Sequence, residues 1–329
     1  MNRLKTTIRY IPVLLVLLLS ARLAHATTGT EAFEQGDFSA AETLLENEIA
    51  ANDDPRKRLL LARIEMQRNE FESAYKLMDS VVDELPDDAD AHYWLGASAG
   101  SLAGNVSLFR AARYARVVRK AFLRAIELDP QHVGAHQGLI SYYMQAPGML
   151  GGDKKEALAL ATRMTEFAPI EGKLRLAGLY EQMDKPEQAR ATLTGLTASS
   201  PDDPRAYLRL GFAYQADEDY ANAIQTFRKA TKAMAEFDQA EQVRMSALYQ
   251  VGRTAVFSEN YLEEGIDALT RYIEAAPGQN LPGPDWATYR RGQLHTMAGN
   301  AQLAQRDYTA AQAMTDDEDL LKAVKRVIE

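Results

Sequence analysis

The chain has 329 residues, 46% hydrophobic and 25% charged, with a formal charge of −9 and no cysteine. That apolar fraction supports a packed core and excludes a disordered chain, and the missing thiols exclude disulfides, thiolate metal sites and a cysteine nucleophile. Fifty-two alanines stand against two tryptophans, which points to an all-α chain, because alanine has the best helix propensity.

Arg3, Lys5 and Arg9 form a basic start. Ile11 to Leu19 follows as a short apolar run broken by Pro12, and Ala24-His25-Ala26 is a small-x-small site. This is the layout of a secretory signal peptide, residues 1–26, with cleavage expected after Ala26 and a periplasmic or secreted mature chain. The apolar run is less than half of the roughly 20 residues a bilayer span needs, so no transmembrane span is expected after cleavage. Losing Arg3, Lys5, Arg9 and Arg22 takes the formal charge from −9 to −13. So acidic a balance argues against nucleic acid as a partner, since that binding rests on neutralising phosphates.

Beyond the signal the chain repeats itself. Helix-like segments close at Pro55, Pro86, Pro130, Pro169, Pro201 and Pro277, and the spacing of the first five falls in the range of helical repeat arrays. Each interval holds two amphipathic segments around a Gly-Asp or Asn-Glu turn. The first segment carries a small residue at Gly29, Ala62, Gly96, Ala177, Gly211, Gly252 and Gly292. The second carries one at Ala41, Ala74, Ala157, Ala189, Ala223, Gly265 and Ala304. One turn later comes a large residue: Leu45, Met78, Phe122, Leu193, Phe227, Leu269 or Tyr308. Small residues let two helix axes approach to the usual 8–10 Å, and the large side chain is expected to fill the space to the next repeat.

These residues resemble the tetratricopeptide repeat, a helix–turn–helix unit of about 34 residues. Its pattern is W-x2-L-G-x2-Y…A-x3-F…P. The resemblance implies an all-α, right-handed solenoid of about eight repeats over residues 27–316. The units are 27–54, 55–87, 88–131, 132–170, 171–203, 204–240, 241–279 and 284–317. Residues 317–329 read as a C-terminal capping helix with a charged outer side, as a solenoid end requires. Three places depart from the pattern: about ten extra residues at 105–119, five extra at 146–153, and a Pro/Gly linker at 280–285. A Pro-Gly…Gly-Gly-Asp insertion is also similar to those of exported bacterial repeat proteins, some of them transporter-associated.

No motif points to catalysis, and no cofactor or metal is expected. The stretch from Gly148 to Lys155 lacks the Walker spacing and carries Asp153 where a lysine belongs. His132 and His136 stand at i, i+4 without a third ligand, so they read as a turn residue and a wide aromatic repeat position.

Two surfaces remain as candidate sites. Between Asp90 and Glu127 there is no acid, while Arg110, Arg113, Arg116, Arg119, Lys120 and Arg124 accumulate. Steps of three residues spread these cations over a broad helix face, as a patch for an anionic ligand or as a solvated face paired with neighbouring acids. Where the family curves, the first helix of each pair lines the concave groove. That places Arg63, Met66, Tyr93, Gln137, Ser141, Met144, Arg205, Phe212, Gln215, Tyr249, Arg253 and Tyr289 there, of types enriched at interface cores. The family's chaperone-tail clamp of Lys and Asn is not implied, because its positions hold Leu59, Arg63, Tyr93, Ala97, Leu208 and Phe212. The expectation is a non-enzymatic exported scaffold or adaptor that binds a protein or peptide. A solute- or polymer-binding component of a transporter or envelope-biogenesis pathway is the alternative.

Overall fold

The computed structural model describes residues 28–275, 278 and 280–328, without the side chains of residues 108 and 109. The predicted signal peptide and Pro277 lie outside the described residues. The chain divides into two compact units, Met1–Lys154 and Lys155–Glu329. Each is all helical among the described residues.

The first unit contains α1 (Gly29–Glu34), α2 (Phe38–Ala51), α3 (Pro55–Gln67), α4 (Phe71–Glu84), α5 (Ala89–Ala103), α6 (Leu108–Leu128) and α7 (Val133–Gln145). The second contains α8 (Lys154–Phe167), α9 (Pro169–Gln182), α10 (Pro186–Ser199), α11 (Pro204–Ala216), α12 (Tyr220–Lys232), α13 (Ala240–Ser258) and α14 (Leu262–Glu274). It ends with α15 (Pro284–Met297), α16 (Ala301–Met314) and α17 (Glu318–Ile328). Two helices therefore fall in each of the eight expected intervals, and α17 takes the capping position.

Five of the eight turns within helix pairs share one chemistry. Gly36, Asn69, Asp184, Glu218 and Gly299 all have positive φ. The residue after each returns a backbone bond to the carbonyl five positions back, as in Asp37 to Ala32 (3.0 Å), Lys185 to Tyr180 (2.9 Å) and Asn300 to His295 (2.8 Å). This is the Schellman closure of a helix C-terminus, which satisfies its orphan carbonyls. Aspartates start the following helices: Asp37, Asp54, Asp88, Asp203 and Asp219 each accept a backbone N–H of the first turn, the usual N-cap. Pro55 and Pro169, expected to close a helix, instead open α3 and α9 at the first position. A missing N–H costs nothing there.

The large residue of the second helix packs against the next repeat, as expected: Leu45 clusters with Leu61 and Ile64, Met78 with Ala91 and Leu95, and Leu193 with Leu210. It also seats on the small residue of its own pair. A Cβ added to Gly29, Gly96, Gly211, Gly252 or Gly292 would stand 2.3–2.8 Å from Leu45, Phe122, Phe227, Leu269 or Tyr308 respectively. Ala62 with Met78, and Ala177 with Leu193, occupy the same places in their own buried clusters. The second-helix small residue faces two ways: a Cβ at Gly265 would meet Ala255 of its own pair and Leu294 of the next. Phe122 bridges repeats in the same way, since it also fills the space over Gly138 of α7.

The insertions are ordered. The extra residues at 105–119 extend α6 at its N-terminal end, giving a helix of 21 residues rather than a loop between helices. The 146–153 segment makes a 3-10 turn at Gly148–Leu150 and folds back on α7. There the Tyr142 hydroxyl donates to the Leu150 carbonyl, and the Asp153 N–H donates to the Tyr143 carbonyl (2.9 Å). Gly152 is required, because a Cβ would collide with the Ala146 carbonyl oxygen at 1.8 Å. In the second unit, the buried Tyr272 donates its hydroxyl to Pro282 (2.7 Å) and so pins the linker before α15. Burial holds that phenol far above its ordinary pKa.

Candidate functional site

The predicted site residues form three groups with different chemistry. On α6, Arg110, Arg113, Arg116, Arg119 and Lys120 are all exposed. None has an ion pair among the described residues. Arg124 differs: it meets Asp87 at 2.7 Å and Glu127 at 3.0 Å. The reading of a face neutralised by neighbouring acids therefore holds for Arg124 alone among the six cations. The core side of the same helix is apolar, with Val118, Ala121, Phe122 and Ala125 buried, so packing turns the cations outward.

The first-helix residues of the first unit make a stack. Arg63 of α3 lies with its guanidinium carbon 4.6 Å from the centroid of Phe33 on α1 and 5.1 Å from that of Trp94 on α5. Three successive first helices thus join through a cation–π sandwich, a contact that orients the guanidinium while its N–H edges stay open. Tyr93 packs edge-on against Trp94 at 5.0 Å and lies tilted against His132 at 4.9 Å, and burial raises its pKa. It is as much a spacer over Gly134 as a groove residue. Gln137 and Met144 are half-buried on α7. His132 caps α7 by accepting from the Ala135 N–H at 3.1 Å, its other ring nitrogen lies 3.1 Å from Asp90, and His136 is buried against the Pro130 carbonyl. Both imidazoles are used structurally.

In the second unit the predicted residues separate. Arg205 is neutralised locally: its guanidinium bonds Asp203 (2.6–3.1 Å) and Glu171 (3.3 Å) and stacks on Phe237 at 4.4 Å. Its role is to fix the start of α11. Phe212 is 37% exposed and packs edge-on over Phe227 at 5.4 Å. It forms one wall of a cavity of about 250 Å³ with Ala189, Arg190, Arg209 and Asp217. Tyr249 is buried and packs at a tilt against Tyr272 at 5.2 Å, and its hydroxyl accepts from Arg290.

Gln215, Tyr249 and Arg253 are brought together around a residue the sequence reading missed, Arg290 of α15. Arg253 donates to Gln215 (3.2 Å) and Gln250 (3.3 Å), and Arg290 donates to the Tyr249 hydroxyl (3.1 Å). A sequence signal existed. Arg290 stands two residues before Gly292, as Arg209 stands before Gly211 and Arg175 before Ala177, an arginine column down the first helices. Arg175 is desolvated, and that burial, with Arg209 nearby, pulls its pKa down.

The 146–153 loop offers no phosphate cradle. The N–H groups of Leu150, Gly151, Gly152 and Asp153 are all spent on carbonyls of the same segment or of α7, and a phosphate loop needs such donors free.

A tetratricopeptide repeat family model matches residues 32–97, and a second matches residues 174–241. The chain is 26% identical over 88% of its length to "Cellulose synthase operon protein C" of Xanthomonas axonopodis pv. citri, and spans 22% of that relative's length. Among solved structures it resembles a tetratricopeptide repeat protein from Parabacteroides merdae (11% identity, 84% of this chain and 96% of that one, TM-score 0.51). It also resembles a signal transduction ATPase with a tetratricopeptide repeat sensor from Pyrococcus horikoshii (17% identity, 88% and 46%, TM-score 0.60). The matched segments run from α1 into α5 and from α9 through α12, and they include the interlocked Ala62 and Met78, Ala177 and Leu193, and Gly211 and Phe227. The chain is a tetratricopeptide repeat protein.

Proposed function

We propose that this chain is a non-enzymatic scaffold of an exported envelope-biogenesis system, and that it binds a polypeptide along its first helices. The Phe33–Arg63–Trp94 stack carries the reading. It holds an arginine and a tryptophan, two residue types prominent in binding hot spots, on the first helices of two consecutive pairs, α3 and α5. The relative named for a cellulose synthase operon supports the envelope setting, and the basic, apolar and small-x-small segments of residues 1–26 support export. Export predicts a mature protein whose first residue, by mass spectrometry, is Thr27.

The test is photocrosslinking in cells from a probe residue placed at Met66 or Trp94, with Lys76 on the outer side of α4 as control. A defined polypeptide adduct from the first two positions and not the third is the expected result. Adducts with glycan alone would replace the scaffold reading with a polymer-binding component.

The open cations of α6 favour a second contact, with an anionic partner. Reversing Arg116 and Lys120 to glutamate should abolish capture of that partner at low salt, and the difference should shrink as salt shortens the screening length below about 10 Å. Stability should change by no more than about 0.5 kcal/mol, as for other surface substitutions. Lost stability with unchanged binding would return these residues to an internal role.

A further inference from the structure

We propose that the outer face of α6, together with the tip of the 146–153 segment, seats this chain on an anionic membrane surface. Met149 enters the headgroup layer and the α6 cations pair with lipid phosphates. The proposal rests on the anionic-contact reading of α6 and adds the kind of partner.

Two departures from the repeat meet on one surface. The residues that lengthen α6 carry Arg110, Arg113, Arg116 and Arg119, and the 146–153 segment lies against that helix. A Cβ added to Gly151 would stand 3.7 Å from Cδ and Nε of Arg119 and from the Tyr142 hydroxyl oxygen. Tyr142 in turn anchors the segment through the Leu150 carbonyl. The 3-10 turn of the segment presents Met149, which is 92% exposed. Leu123, 41% exposed, stands three residues after Lys120 and four after Arg119, spacings that share one helix face.

The charge of this surface is unspent. Arg110, Arg113, Arg116, Arg119 and Lys120 make no hydrogen bond or ion pair among the described residues. The acids at the far end of the face, Asp87 and Glu127, are both taken by Arg124, and residues 91–126 contain no acid. On a chain of net charge −9, such a patch steers this face, rather than the acidic remainder, toward a negative surface.

The shape selects a fluid partner. Apolar anchors between proteins fill pockets, but Met149 and Leu123 protrude, and no hydrogen bond fixes the guanidinium forks for a set register. A bilayer accepts a protruding apolar side chain wherever it lands, and its mobile headgroups bring a phosphate to each cation. Long arginine stems reach those phosphates while their apolar carbons lie along the interface. No described helix is long and apolar enough to cross a membrane, so the attachment is to the surface.

The experiment uses the chain from Thr27 onward, which contains every described residue. It is sedimented with vesicles of phosphatidylglycerol and phosphatidylcholine, with pure phosphatidylcholine vesicles as the neutral control. Binding by the native chain should require phosphatidylglycerol. Arg116→Gln with Lys120→Gln should weaken it about 30-fold, taking about 5-fold for each basic residue near an anionic surface. That loss should shrink as salt rises, because screening acts on exposed charges. Met149→Gln should weaken binding about 10-fold, the low end for burying a methionine side chain, and this loss should not change with salt. Met149→Trp should keep binding, and its fluorescence should shift to the blue on the anionic vesicles alone. Lys76→Gln with Arg271→Gln removes the same charge from exposed places on α4 and α14 and should bind like the native chain. Unchanged thermal melting of every variant excludes misfolding.

Equal binding to the neutral vesicles, native-like binding by Arg116→Gln with Lys120→Gln, or an unshifted Met149→Trp emission would each overturn the proposal. If capture of polyglutamate still depends on Arg116 and Lys120 when vesicle binding fails, the anionic-contact reading stands and this inference alone falls. If neither probe depends on them, both fall.

Discussion

The same substitution, glycine to alanine in a helix interior, should have opposite effects at Gly211 and Gly195. At Gly211 a Cβ would stand 2.4, 2.5 and 2.9 Å from three ring carbons of Phe227. Ordinary carbon contacts lie near 3.5–4.0 Å, so the ring has to retreat by about 1 Å. Phe227 is fully buried and packs into a cluster with Leu248, Leu269 and Tyr272, which leaves it nowhere to go. Overpacking of this kind costs about 1–3 kcal/mol, and the better helix propensity of alanine returns about 1 kcal/mol. The net expectation at Gly211 is a loss of up to about 2 kcal/mol on those figures. Gly195, exposed on α10, has nothing within 4 Å of its added Cβ, so only the propensity gain of about 1 kcal/mol applies. Urea unfolding followed by circular dichroism would give both values. Adding Phe227→Leu to Gly211→Ala should recover part of the loss by shortening the ring's reach, whereas Phe227→Leu alone should destabilise. If Gly211→Ala stabilises as much as Gly195→Ala, the interlock of large and small residues within each pair is wrong.

Asp307, buried on α16, takes both forks of Arg291 at 2.8 Å, so Asp307→Asn should cost about 3–5 kcal/mol by stranding a mostly buried guanidinium, measured by the same unfolding curve. Glu65 is buried with one carboxylate oxygen unpartnered, and burial raises its pKa despite the hydroxyl of Ser73. The folded state holds that proton more tightly than the unfolded one, so the contribution is full below the unfolded pKa and is lost as pH rises through the folded value. Glu65→Gln should raise stability at pH 7 by about 1 kcal/mol and flatten that stretch of the stability–pH curve. His295 has the opposite sign: burial outweighs Asp307 and lowers its pKa from 6.5. Its contribution is present above 6.5 and falls as pH drops through that value toward the folded pKa, and unfolding of a His295→Gln chain between pH 7 and pH 5 should lack this component.

The repeat was legible because a steric requirement reads directly as a residue type. Gly96, Gly211, Gly252 and Gly292 recur because nothing larger fits under Phe122, Phe227, Leu269 and Tyr308. The packing of each large residue toward the next repeat was legible, whereas its seat on the small residue of its own pair was not, since spacing alone does not give every neighbour of a side chain. The length of the α6 insertion and the helical spread of its cations were readable, but not that the extra residues extend the second helix of the pair at its N-terminal end. Site residues fared unevenly for a physical reason. Arg205 has its acid two positions earlier, at Asp203, and a tyrosine such as Tyr249 can occupy a first-helix position with its ring in the core. Whether a first-helix cation is free depends on side chains a whole repeat away in the chain, such as Gln215 and Arg290 around Arg253, which no local pattern reports.

Phe122 is a wedge shared by two helices: its ring closes over Gly96 in α5 and over Gly138 in α7, at 2.7 and 2.3 Å from where Cβ atoms would stand. The extra length of the third repeat lies wholly before it in α6, so a ring 26 residues after its glycine, instead of the 16 separating Gly29 from Leu45, reaches the same seat. Neighbouring repeats in such arrays are coupled through their interfaces, and here Phe122 carries that coupling beside the contacts of Tyr93 and Asp90 with the start of α7. The α5–α6 pair therefore has no private opening motion: lifting α6 uncovers α7 at once. Amide protons of Leu95 and Leu139 should exchange as one cooperative set, and Phe122→Ala should split that set in two, leaving α7 to fray independently of the helices before it.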